Sequence, residues 1–242
     1  MAQNTRVWSR FTVKSKDGEL KFRIQDMPSD RLEDVINIFV KYFVPEETAH
    51  KAAGIYKNED AIAESKEFVS EMMVDIVKEP HNVLICCKDD DDDIVGEIIA
   101  ASLTTIARKD DPDEDMNFTT KTKELTAMFG IMDKLFSKYD VMKDLKLDSF
   151  YDDRGVVVHP KYRGLGIAQQ FLIARRKVCH EAGIPLAGAW MTSAGSQKAA
   201  DRDGWDTVFE VSYEEFGKEV GITFENVPPT CKFMVAKPLP VD

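Results

Sequence analysis

The order of strand and helix patterns along this chain predicts an α/β fold, with a central mixed, twisted β-sheet flanked by helices. Three observations carry that expectation. The 242 residues are 43% hydrophobic and 31% charged, the balance of a folded protein with a full core. Strand-like and helix-like runs alternate from residue 7 to residue 237. Residues 155–168 pass from a β-branched strand, through a glycine turn, into a helix. No repeat, low-complexity block or linker divides the chain, so residues 1–242 are expected to form one domain.

The elements follow in order. Val7 to Lys16 and Leu20 to Ile24 read as strands around the hairpin signal Lys16-Asp17-Gly18. Ser29 or Asp30 can cap a helix, and Leu32, Val35, Ile36, Phe39, Val40 and Phe43 give it one apolar stripe. That stripe breaks at Val44-Pro45. A second helix spans Glu59 to Lys78. Asn82 to Lys88 and Ile94 to Ile106 read as strands joined through Asp89 to Asp93. This acidic turn lacks the alternating ligands and glycine of a calcium loop. Residues 108–117 read as an acidic loop, and Phe118 to Tyr139 as a helix. Phe150 to His159 is the central strand, Ile167 to Ala182 a helix ended by Gly183, and Leu186 to Met191 a strand. A short helix over Ala194 to Asp201 and strands over Trp205 to Tyr213 and Lys232 to Lys237 close the order.

The segment 155–168 carries the chemistry. Val156, Val157 and Val158 are strand formers, and Pro160 has no N–H with which to continue a ladder. Arg163, Gly164, Leu165 and Gly166 follow, and Ile167 opens the helix. Backbone N–H groups at such a helix start, with the helix dipole behind them, bind anions. Gly164 and Gly166 let the backbone come close to a bulky group, which points to a pyrophosphate. A P-loop is excluded, because Ile167-Ala168 stands where Lys-Ser/Thr is needed. A dinucleotide fingerprint is excluded by Gln169 at its third glycine.

Composition narrows the partners. The formal net charge is −11, which argues against nucleic acid and fits plain solubility at least as well as a cationic substrate. Lys161, Arg163, Arg175, Arg176 and Lys177 gather near the phosphate corner against that trend, although Arg175 to Lys177 also fit a solvated helix face. No apolar run reaches the ~20 residues of a membrane span, and the N-terminus has no apolar signal core. Cys86, Cys87, Cys179 and Cys231 form no C-x-x-C pair, which predicts reduced thiols, no metal site and a cytoplasmic protein. His50, His81, His159 and His180 are scattered and suggest no metal or Cys–His site.

Arg163-x-x-Gly166-x-Ala168 resembles the R/Q-x-x-G-x-G/A pattern of the GCN5-related N-acetyltransferases. The resemblance implies that family's fold and acetyl-CoA as co-substrate. It implies that Arg163, Gly164, Leu165, Gly166, Ile167 and Ala168 hold the pyrophosphate, and that Val156, Val157 and Val158 pair with the pantetheine amides. Asp203-Gly204-Trp205 matches the superfamily's turn from helix to strand.

The chain also resembles the insect arylalkylamine N-acetyltransferases, of the dopamine N-acetyltransferase kind. The carriers are Tyr42-Phe43-Val44-Pro45-Glu46-Glu47 and Thr192-Ser193-Ala194-Gly195-Ser196. Aligning Phe43 with the family's second aromatic implies Glu46 as the catalytic base. Pro45 and Glu47 depart from the family's pattern, and a slip of one residue makes Glu47 the base. Solvated residues in a turn are the plain alternative for both. Thr192 and Ser196 match the family's two functional hydroxyls, with Ser196 implied as proton donor to the CoA sulfur and Thr192 as a holder of water or substrate. Thr192 or Ser193 can equally cap the helix that follows. The implied activity is direct transfer of acetyl to a small arylalkylamine in a ternary complex. Other amines or acyl chains, or a CoA-binding protein without activity, stay open.

Overall fold

The computed structural model describes residues 5–15, 18–91, 94–111 and 118–241, and its eight strands form one sheet. They are β1 (Val7–Ser15), β2 (Gly18–Asp26), β3 (Val83–Lys88), β4 (Ala100–Arg108), β5 (Ser149–Val158), β6 (Ala187–Met191), β7 (Asp206–Ser212) and β8 (Thr230–Ala236). Their spatial order is β1-β2-β3-β4-β5-β6-β8-β7. Every neighbouring pair is antiparallel except β5 and β6, so the sheet is mixed as expected. The hairpin turn at residues 16–17, residues 92–93 of the aspartate run and residues 112–117 of the acidic loop lie outside the described residues.

The helices are α1 (Leu32–Ile38), α2 (Thr48–Ala53), α3 (Glu59–Ile76), α4 (Lys123–Phe136), α5 (Val141–Leu145), α6 (Ile167–Ala182), α7 (Ala194–Arg202) and α8 (Tyr213–Val220). Period-two alternation divides their cores between the two sheet faces. Leu84 and Cys86 of β3 pack on the face that also buries Phe171 and Val178 of α6 and Ala200 of α7. Val83 and Ile85 pack on the opposite face with Val35 of α1, Met73 of α3 and Met128 of α4.

Several expected elements are shorter than their patterns. The strand expected from Ile94 begins only at Ala100. The carbonyls of residues 94–96 accept from arginine side chains instead of a neighbouring strand: Arg23 Nη2 reaches Ile94, and Arg31 reaches Val95 and Gly96. The helix expected from Phe118 begins at Lys123, because the buried Glu64 carboxylate takes the backbone N–H groups of Lys121 and Thr122 first. The helix expected over residues 32–43 is α1 followed by a wider π-helical turn, Phe39–Phe43. Helices α2, α5 and α8 were not expected at all.

The centre of the sheet opens between its two parallel strands. Pairing of β5 with β6 is confined to Tyr151–Ala187 and Asp152–Gly188. Beyond it, Val156, Val157 and Val158 remain paired to Ser102, Ala101 and Ala100 of β4 on one side only. A register shift between Leu103 and Thr104 marks a β-bulge opposite Gly155, whose φ is +128°. A bulge bends and twists its strand, and here it turns the end of β5 away from β6.

Candidate active site

A cleft of about 1570 Å³ runs through this opening. At one end lies the glycine turn between β5 and α6. Gly164 and Gly166 take φ of +79° and +82°, conformations that L side chains rarely adopt. No atom stands within 4 Å of a Cβ built at either position. No side chain caps α6 at Gly166, so its first-turn N–H groups remain available to a ligand. These features fit the pyrophosphate and pantetheine that the sequence implied for Val156, Val157, Val158, Gly164, Leu165, Gly166, Ile167 and Ala168.

The basic side chains near this corner are engaged differently from expectation. Arg163 Nε donates to the Val158 carbonyl at 3.0 Å, and its Nη1 to Glu46 Oε2 at 2.5 Å. Arg175 is neither at the phosphate nor on a solvated face. It is 2% exposed, pairs with Asp153 Oδ1 at 2.6 Å, and donates to Ser102 Oγ and to the carbonyls of Leu103 and Gly155. It therefore pins the bulge from beneath. Arg176 Nη1 bonds Asp203 and its Nε the Lys237 carbonyl.

The two glutamates separate. Glu46, the base implied by the alignment, stands at the rim, half exposed and tied to Arg163. Glu47 turns inward and is the N-cap of α2. Its Oε2 accepts from the N–H of Ala49 at 2.8 Å, the N–H of His50 at 3.1 Å, and bonds His50 Nδ1 at 2.8 Å. Its Oε1 accepts from Thr192 Oγ1 at 3.2 Å. Burial opposes the charge, but the His50 imidazole and the two backbone N–H groups outweigh it, so the carboxyl is held below its ordinary 4.5.

The π-helical turn positions this corner. It presents Phe43 edge-on to the His50 ring at 5.7 Å and against Gly155. Tyr42 meets His159, at the end of β5, at 4.7 Å. From the far side, Tyr213 of α8 donates to the Thr192 carbonyl at 2.7 Å, and Thr48 reaches the same oxygen at 3.3 Å.

Thr192 thus comes to Glu47, and its hydroxyl is spent on the carboxylate. Ser196 lines the cleft and also completes a capping box. Ser193 Oγ accepts from Ser196 N at 3.1 Å, and Ser196 Oγ accepts from Ser193 N at 3.2 Å. Ser193 is therefore the cap, as one sequence reading held. The sequence reading missed His50. The usable signal was its spacing of three from Glu47, which places both on the first turn of a helix. Further along the cleft stand Met72, Met132, Phe136, Tyr139 and Trp190. Trp190 stacks on Phe136 and meets Phe209 and Phe233 edge-on.

This sheet, parted between two parallel strands with a glycine turn and helix start at the mouth of the gap, has the fold of solved GCN5-related N-acetyltransferases. Among structures of that fold, it is similar to insect arylalkylamine N-acetyltransferases and to agmatine and polyamine N-acetyltransferases. A structure of a candidate arylalkylamine N-acetyltransferase 7 from the yellow fever mosquito Aedes aegypti is 26% identical, with a TM-score of 0.83 over 100% of this chain and 97% of that one. The Aedes aegypti arylalkylamine N-acetyltransferase 2 shares the fold at 18% identity and TM-score 0.72, over 89% of this chain and 98% of that one. A Drosophila melanogaster polyamine N-acetyltransferase that forms N-acetylagmatine does so at 16% identity and TM-score 0.68, over 89% and 99%. No family model matches the sequence.

Proposed function

We propose that this protein transfers acetyl from acetyl-CoA to the primary amine of a small arylalkylamine of the dopamine, serotonin, tyramine or octopamine kind. The observation that carries the reading is the continuity of the cleft. One cavity joins the glycine turn, the free edge of β5, the Glu47–His50 corner and the aromatic wall of Phe136, Tyr139 and Trp190. Its volume exceeds the usual range of single-ligand pockets, which suits two substrates held together and direct transfer between them. The protein acts as one domain over residues 1–242 and, with four free buried cysteines, in the cytoplasm.

Acetyl-CoA bound along β5 supplies an activated thioester carbonyl. The amides from Arg163 to Ala168 hold the pyrophosphate, and the edge amides and carbonyls of Val156, Val157 and Val158 align the pantetheine. An incoming amine arrives as an ammonium ion and must lose a proton before it can attack. The buried Glu47 carboxylate attracts the cation, and the Glu47–His50 corner takes the proton. Ser196, on the cleft wall, returns a proton to the departing thiolate.

A second reading has its own support. Asp111, Asp140, Asp148 and Asp152 line the outer end of the cleft, where a second cationic group of an agmatine or polyamine could lie. Thiol release measured over a panel of amines and acyl-CoAs decides between them. Turnover with arylalkylamines and acetyl-CoA is expected. Turnover confined to agmatine or polyamines favours the second reading, and CoA binding with no transfer to any amine overturns both.

A further inference from the structure

We propose that the proton acceptor of the reaction is the Nε2 atom of His50, and that Glu47 is the carboxylate that orients the imidazole. The inference rests on the acetyl-transfer reading above and sharpens it.

The argument begins with the acceptor capacity of Glu47. An ionised carboxylate offers about four lone-pair sites. Three of the donors, Ala49 N, His50 N and His50 Nδ1, crowd onto Oε2, and Thr192 Oγ1 takes one of the two sites on Oε1. Protonation of Oε2 would break one of these bonds, and Oε1 has a single lone pair left beside Thr192. Two of the bonds start α2 and one ties α2 to the loop after β6. The bonds from His50 and Ala49 hold the carboxyl below its ordinary range against its burial, and a weakened base is ill matched to an ammonium near neutral pH.

His50 has the complementary properties. It is 6% exposed yet lines the cleft. Among the described residues, the one hydrogen bond of its ring is that from Nδ1 to Glu47. An anionic acceptor at Nδ1 fixes the proton there and leaves the Nε2 lone pair free, which is the role of the carboxylate in a Ser-His-Asp triad. Phe43 against the ring edge restricts its rotation. Two titratable groups packed near the pair, Tyr213 and Cys231, are neutral. Burial raises the Tyr213 hydroxyl on α8 and raises the Cys231 thiol on β8 to about 12. Glu46 is turned away to Arg163. Glu47 is therefore the anion that faces the imidazole.

The step balances as follows. An N–H bond of the ammonium breaks, and its proton joins Nε2 directly or through one water, giving an imidazolium whose Nδ1–H stays on Glu47. The freed nitrogen lone pair forms the C–N bond, and the C–S bond breaks with its electron pair leaving on sulfur. The second nitrogen proton passes to that sulfur through the Ser196 hydroxyl. The imidazolium returns its proton to solvent.

The test joins nuclear magnetic resonance of the histidine ring nitrogens with pH–rate profiles of the wild type, His50→Gln and Glu47→Gln. The wild-type ring is expected as the Nδ1–H tautomer. In His50→Gln, an amide that cannot take the proton, kcat should fall by ~10²–10⁴-fold and the acid limb should vanish. In Glu47→Gln the limb should persist, because the imidazole that takes the proton is still present. Added imidazole should restore part of the activity of His50→Ala. A limb lost in Glu47→Gln but kept in His50→Gln overturns the proposal and makes Glu47 the base. An Nε2–H tautomer in the folded protein overturns it whatever the turnover. A wild type that shows the expected tautomer but acetylates no amine instead defeats the acetyl-transfer reading.

Discussion

At the scale of single residues, neighbours in sequence have separate tasks. Glu46 and Glu47 are adjacent, yet one meets Arg163 at the surface and the other is the buried cap of α2. Glu46→Ala is therefore expected to leave kcat near wild type, whereas Glu47→Ala should lower it by at least ~10²-fold, in steady-state assays at saturating substrates. Ser193 and Ser196 divide in the same way. Removing an N-cap hydroxyl costs about 1 kcal/mol, so Ser193→Ala should lower the denaturation midpoint and spare kcat. Ser196→Ala should lower both, with a smaller kcat loss than His50→Gln, because a CoA thiolate leaves readily. At Gly166 a side chain meets a strained backbone and, as glutamate, repels phosphate. Gly166→Glu should raise the KM for acetyl-CoA steeply, and an unchanged acetyl-CoA affinity in the folded variant would remove the phosphate assignment.

At the scale of elements, α2 and the β5 bulge determine where the corner sits. The Glu47 carboxyl is held below its value in an unfolded chain. The cap therefore contributes stability above about pH 4.5 and loses it as the pH falls through the lowered folded value. The difference in urea-unfolding free energy between wild type and Glu47→Gln is expected to be largest near neutrality and to narrow in acid. At the bulge, a Cβ on Gly155 would lie 3.0 Å from Phe39 Cε1 and 3.1 Å from Phe43 Cε2, at a φ of +128°. Gly155→Ala should cost about 1–3 kcal/mol, seen as a melting temperature lowered by roughly 2–4 °C per kcal/mol.

These elements also show what sequence can and cannot carry. The corner from Val156 to Ala168 was legible because each signal is local: β-branched residues make strand, proline stops it, and glycine admits positive φ. The turn at Asp203-Gly204-Trp205 was legible for the same reason, and Gly204 has φ of +74°. Helices α2 and α5 span six and five residues, too few for an apolar period to repeat, and α8 begins directly where β7 ends. Without α2, the three-residue spacing of His50 from Glu47 had no helix to give it meaning. Arg175, in a run of three cations, reads as solvated, and only the tertiary fold brings Asp153 and Ser102 to it. The π-helical turn has an apolar stripe like that of any helix.

At the scale of the whole molecule, a net charge of −11 sets a field that attracts cations and repels CoA phosphates. Added salt screens both effects. The kcat/KM for a cationic amine is therefore expected to fall as ionic strength rises, while that for acetyl-CoA should hold or improve, measured in one salt series at fixed pH. Opposite outcomes for the two substrates would place the field on the other side.

The parted sheet has a consequence for motion. Strands β1 to β5 meet β6, β8 and β7 through a ladder that extends only over Tyr151–Ala187 and Asp152–Gly188. Amides of β5 that turn from β4 toward the gap have no strand to hold them, so their protection against solvent deuterium is expected to be low where a central strand is ordinarily the best protected part of a domain. A ligand laid along that edge completes the ladder. Cofactor binding should then slow exchange at Val156 to Val158 far more than at the outer strands, and the middle of the sheet becomes rigid only when the protein is loaded.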